Sequence, residues 1–175
     1  MMRKYSLFLV LFVLFIIEGT VFQIFAPDQF GSDLLFIPRW SFMLIIFAGI
    51  FRGRGTGTLY GVIFGIMFDV IYSALLGIYT FAMGLLAYLL SISIPFFQRN
   101  LPAAVFLTIT AVILLEYFLY GMMLLLGMTA IPHQEFLYSR FLPSLAMNFF
   151  VLAAAAYPLR KWFEYIKRNE DDGLL

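Results

Sequence analysis

Apolar residues in this chain come in long blocks, and most polar residues are gathered in the short stretches between them. A helix that crosses a bilayer needs about 20 largely apolar residues. Six such segments can be marked, at residues 5–25, 35–51, 56–73, 77–94, 102–127 and 141–163. The third and fourth are nearly continuous, because residues 56–94 carry one charge, Asp69. As a single helix that run would be about 60 Å long, roughly twice the hydrocarbon thickness. It must fold back, and Ser73-Ala74-Leu75-Leu76-Gly77 is the predicted turn. The second segment is the shortest and starts near Pro38-Arg39-Trp40, which suits an interfacial start or an incomplete entry into the bilayer. The pattern predicts an all-α, polytopic membrane protein, one transmembrane domain over residues 1–175 with a short tail at 164–175.

Composition agrees. Apolar residues make up 63% and charged residues 12%, against about 45–50% and about 25% for a soluble domain. Ten of the 21 charges lie in the first four residues or after residue 159, so the interior is sparsely charged. The N-terminal Arg3-Lys4 and apolar run look signal-like, but the run ends Gln23-Ile24-Phe25-Ala26-Pro27, without small residues at both cleavage-defining positions. It reads as an uncleaved first span. The absence of Cys excludes a disulfide framework, a thiolate nucleophile and Cys-based metal sites. A single His supports no HExxH pair or multi-His cage. No metal or cofactor is implied, and a net charge of +1 suggests no attraction to nucleic acid.

Charge placement sets the expected orientation. With six spans, Arg3, Lys4, Arg52, Arg54, Arg99, Arg160, Lys161, Lys167 and Arg168 fall on one side, and Arg39 and Arg140 on the other. The positive-inside rule then puts both termini in the cytoplasm. Outside the membrane remain loops near residues 26–34 and 128–140, with Asp28, Asp33, His133 and Glu135, and a tail of a dozen residues. These leave no room for a soluble catalytic or nucleotide-binding domain.

Three acids lie within the spans: Glu18, Asp69 and Glu116. An ionisable residue at membrane depth costs about 2.5–3.5 kcal/mol on insertion scales and usually faces protein or water. These acids fit an outward-facing polar cavity or partner-docking site; equally they fit interfacial or protonated acids bonded to a neighbouring carbonyl. No basic residue in the spans alternates with them, which argues against a proton relay. Gly57, Gly61, Gly65 and Asp69 recur every four residues along one helix face. Small residues at that spacing let helix backbones approach closely, within the chain or against another chain. Arg52-Gly53-Arg54-Gly55-Thr56-Gly57-Thr58 reads as a flexible, basic cytoplasmic turn touching anionic lipid. No Walker or G-x-S-x-G motif is present.

The layout resembles the MreD family, the multi-pass subunit of the bacterial rod-shape (elongation) complex. Leu14-Phe15-Ile16-Ile17-Glu18-Gly19-Thr20 before a Pro-Asp loop carries the resemblance. So do the glycine-rich basic turn, the Gly57/Gly61/Gly65/Asp69 spacing, and Leu76-Gly77 with Tyr79 opening the fourth span. The resemblance implies a non-enzymatic subunit of the bacterial cytoplasmic membrane that scaffolds cell-wall synthesis. Its implied partners are the bitopic protein MreC, the glycosyltransferase RodA with its class B penicillin-binding protein, indirectly the actin-like MreB, and membrane lipids. It also implies a six-helix bundle like the S components of ECF transporters, with an outward cavity. The alternative is a vitamin-capture subunit of such a transporter. Those S components present an AxxxA-type face on the first helix, and residues 5–25 contain no Ala.

Overall fold

The computed structural model describes residues 6–24, 34–73, 75–92 and 94–171. The ends of the first segment at 5 and 25, most of the loop at 26–34, Ala74 of the turn and tail residues 172–175 lie outside the described residues. So do Arg3 and Lys4.

Every regular element among the described residues is helical. In chain order these are α1 (Ser6–Ile24), α2 (Trp40–Arg52), α3 (Arg54–Tyr72), α4 (Ile78–Leu90), α5 (Pro95–Arg99), α6 (Leu101–Leu125), α7 (His133–Glu135) and α8 (Leu142–Asp171). A π-helical turn, Phe136–Phe141, joins α7 to α8. Three helical runs are long and apolar enough to cross a membrane: Arg54–Tyr72, Leu101–Leu125 and His133–Ile166. Residues 164–171, read from the sequence as tail, continue α8.

The second segment differs most from its sequence reading. Residues 34–39 are extended, and α2 begins only at Trp40, so the helix has 13 residues. Pro38 keeps Ile37 out of the helical region, and Arg39, at φ −131°, gives its N–H to Asn148. Short as it is, α2 is the centre of the molecule. Every residue from Ser41 to Phe51 is buried, and α1, α3, α4, α6 and α8 all pack against it. A 13-residue helix is only about 20 Å long, which falls short of the hydrocarbon thickness. It is shielded by longer helices instead of facing lipid.

The basic turn is also tighter than the sequence suggests. Gly53, at φ 106°, is the whole reversal, and Arg54 already opens α3. That hairpin brings Gly49 and Gly57 together, and a Cβ on Gly57 would lie 2.9 Å from Gly49 Cα. Further along α3, a Cβ on Gly61 would lie 2.8 Å from Met83 O, and one on Gly65 would lie 2.6 Å from Thr80 Cα. The glycine face of α3 is thus filled by α4 of the same chain. Arg52, Arg54, Arg99 and Arg160 gather at one end of the bundle, where Gln98 donates to Ile50 O at 3.0 Å and Arg160 to Arg99 O at 3.1 Å.

Candidate functional site

The opposite end is built around the start of α2. Its extended lead-in, residues 34–39, has backbone groups that no helix satisfies. Buried non-helical backbone is tolerated only where its polar groups find other partners. Two residues one turn apart on α8 do so. Ile37 N–H donates to Ser144 Oγ at 2.9 Å, and that hydroxyl donates to Leu35 O at 3.1 Å. Asn148 Nδ2 donates to Ile37 O at 2.9 Å, while its Oδ1 accepts from Arg39 N–H at 2.9 Å. The α8 face thereby acts as a strand partner, completed by Leu35 N–H donating to Ser139 O at 2.7 Å. Ser144 and Asn148 are fully buried.

Four ionisable side chains converge on the same place. Glu18 of α1 accepts from Ser41 N–H at 2.5 Å, satisfying a first-turn donor of α2 and opposing the positive end of its dipole. Its second oxygen, Oε2, is buried with no hydrogen-bond partner among the described residues. Arg39 Nε donates to Glu116 Oε1 of α6 at 2.6 Å, both side chains being almost completely buried. The Arg39 guanidinium also lies 5.5 Å from the centre of the Tyr79 ring. Arg140, partly exposed on the π-helical turn, reaches to 3.6 Å from Glu116 Oε2. Glu18, Arg39, Arg140, Tyr72 and Tyr79 line a cavity of about 220 Å³, whose apolar wall includes Ile37 and Phe68.

Of the three acids within the apolar segments, Glu18 and Glu116 therefore both serve the N-terminal end of α2. Asp69 stands apart. Its Oδ2 accepts from Gly77 N–H at 2.9 Å, Thr80 N–H at 2.8 Å and Thr80 Oγ1 at 2.6 Å. Its Oδ1 accepts from Tyr79 N–H at 2.8 Å. Gly77, the residue capping α4, has no side chain to cap with, so an acid two turns back supplies the acceptor across the turn. Asp69 thereby sets the direction in which α4 leaves, and with it the position of Tyr79 in the cavity. Arg52 and Arg54 lie at the far end, where the Arg54 guanidinium sits 4.9 Å from the Tyr88 ring centre.

The sequence placed Arg39 at the interfacial start of the second segment, on the external side, and showed no basic residue in the spans alternating with the acids. That is corrected here: Arg39 is buried and is the partner of Glu116. Arg140 entered only as an external charge and Tyr79 only through the resemblance, and Ser144 and Asn148 were not singled out. A signal existed for two of them, since Ser144 and Asn148 are spaced four apart in an apolar helix and so share a face. Among the described residues no three or more His, Asp or Glu lie grouped to hold a metal ion.

The chain matches the family described as rod shape-determining protein MreD over residues 2–166. The rod shape-determining protein MreD of Bacillus subtilis (strain 168) is 26% identical over 171 residues, covering 98% of this chain and 99% of that protein. No solved structure matches the chain. Its long apolar helices fit insertion into a membrane, and the chain belongs to the MreD family of rod shape-determining proteins.

Proposed function

We propose that the chain is a non-enzymatic, six-span subunit of the bacterial elongation complex. It holds MreC and, through it, RodA with its class B penicillin-binding protein, with MreB coupled indirectly on the cytoplasmic side. Both termini lie in the cytoplasm in this reading. The short α1, α2 and α4 cross within the shelter of the longer helices, in an arrangement like that of ECF S components. The charged cavity then faces outward.

One observation favours the cavity as the place where MreC is held. Glu18 carries a buried oxygen with no partner among the described residues, and its side chain helps to line a space shared with Arg39, Arg140 and two tyrosines. An unpaired buried acceptor costs about 1–3 kcal/mol. A protein that keeps one beside an open cavity gains from an occupant that brings a donor. Membrane helices that bind each other rely on such polar contacts and on close packing, since lipid supplies no hydrophobic drive. The cluster supports holding rather than chemistry, because its cations are already committed to its acids.

The same cavity gives the second reading, capture of a small vitamin-like molecule, its physical motivation. Affinity purification of the tagged chain from gently solubilised native membranes separates the two. Recovery of MreC with RodA and the transpeptidase is expected. Recovery of ABC ATPases with a transmembrane coupling subunit, or saturable vitamin binding by the purified chain, would overturn the scaffold reading.

A further inference from the structure

At the basic end, away from the charged cavity, a wider cavity of about 610 Å³ opens beside α5 and the adjoining parts of α6 and α8. Two arginines from different elements line it, Arg99 at the end of α5 and Arg160 on α8. Arg160 is fixed before any ligand arrives. Its Nη1 donates to Arg99 O at 3.1 Å and its Nε to Glu164 Oε1 at 2.7 Å. Arg99 is different, for its guanidinium has no hydrogen-bond or ion-pair partner among the described residues. The first turn of α6, from Asn100 to Pro102, opens on the same space. Pro102 has no N–H, and those of Asn100, Ala103 and Ala104 donate to Phe96 O, Asn100 Oδ1 and Asn100 O, so this end adds to the two cations only the positive end of the helix dipole.

The remaining surface is apolar. Phe96 lines the cavity and is 58% exposed, and Phe106, one turn beyond Pro102 on α6, is 74% exposed. We infer that this cavity is a binding site for an anionic phospholipid, its phosphate held by Arg99 and Arg160 and its acyl chains lying along Phe96 and Phe106. A solvent anion would use the arginines alone. The uncovered aromatic rings beside them fit an anion that carries hydrocarbon. Arginine suits the phosphate because its planar fork binds two oxygens at once. The cytoplasmic leaflet, which this end faces if the positive-inside assignment holds, is where such lipids concentrate. The inference does not depend on how MreC is held.

Native mass spectrometry of the purified full chain, titrated with dioleoyl phosphatidylglycerol and separately with dioleoyl phosphatidylcholine, tests it. The anionic lipid is expected to bind more tightly. Arg99→Gln should weaken it about fivefold, the effect of one interfacial cation, without changing phosphatidylcholine binding. The Arg99 side chain is exposed and the bond from Arg160 goes to its backbone carbonyl, so this variant is expected to keep its fold. Lys161→Gln, at the same end but outside this cavity, should behave as the unaltered chain. No loss in Arg99→Gln, an equal loss in Lys161→Gln, or no preference for the anionic lipid would overturn the site. So would displacement of the lipid by millimolar inorganic phosphate, which would make it a site for a free anion.

Discussion

Arg39 joins three otherwise separate features: the extended lead-in, the start of the central helix and the acid of α6. Its backbone N–H is held by Asn148 and its guanidinium by Glu116. A buried ion pair is weak evidence of net stability, because desolvating both charges offsets their attraction. Removing one member is another matter, since the survivor is left buried and uncompensated. Arg39→Met should therefore lower stability by about 3–5 kcal/mol. Arg39→Met combined with Glu116→Leu should recover most of that loss. Unfolding curves of the detergent-solubilised single and double variants check this, and purely additive losses would contradict the pairing. At this scale the sequence was half legible. Glu18 and Glu116 stand out because a charge in an apolar block is conspicuous. Arg39 does not, because it sits beside Pro38 at a block edge, where a cation ordinarily belongs to a loop.

Among the elements, the α3–α4 hairpin was the most readable and the α2 lead-in the least. Glycine spacing marks a close-packed face whatever the partner, and α4 is what fills it. The acid at the end of that face acts locally, tying four donors at the head of α4. A Cβ on Gly65 would press on the backbone of Thr80 and Tyr79, neither of which can rotate away. Gly65→Ala is therefore expected to destabilise the chain by about 1–3 kcal/mol, the range for overpacking. Gly55→Ala meets nothing and should be neutral or stabilising by up to about 1 kcal/mol. Thermal unfolding of the two side by side decides it, and equal midpoints would show that α4 is not tightly seated. The extended lead-in was hidden for a physical reason. Its hydrogen bonds go to Ser144 and Asn148, more than 100 residues away, so no local pattern announces them.

In the whole molecule, the ion-paired end and the basic end lie at opposite ends of one bundle, and the proposed orientation puts the first outside. The chain has no native Cys, so single cysteines report sidedness cleanly. Asn100→Cys and Gly127→Cys lie at opposite ends of α6. In intact cells an impermeant maleimide should label Gly127→Cys and not Asn100→Cys; the reverse pattern would invert the topology.

The most direct measurement of the central claim, that the charged cavity holds MreC, is co-purification of MreC with Glu18→Gln. This variant keeps the size of the side chain and an oxygen for Ser41 N–H, and replaces the unpaired carboxylate oxygen with an amide NH2, which donates instead of accepting. The purified variant is expected to unfold near the midpoint of the unaltered chain while retaining at least tenfold less MreC, as loss of one charge-assisted hydrogen bond of about 1.5–3 kcal/mol implies. Undiminished MreC on a folded Glu18→Gln chain would contradict the claim.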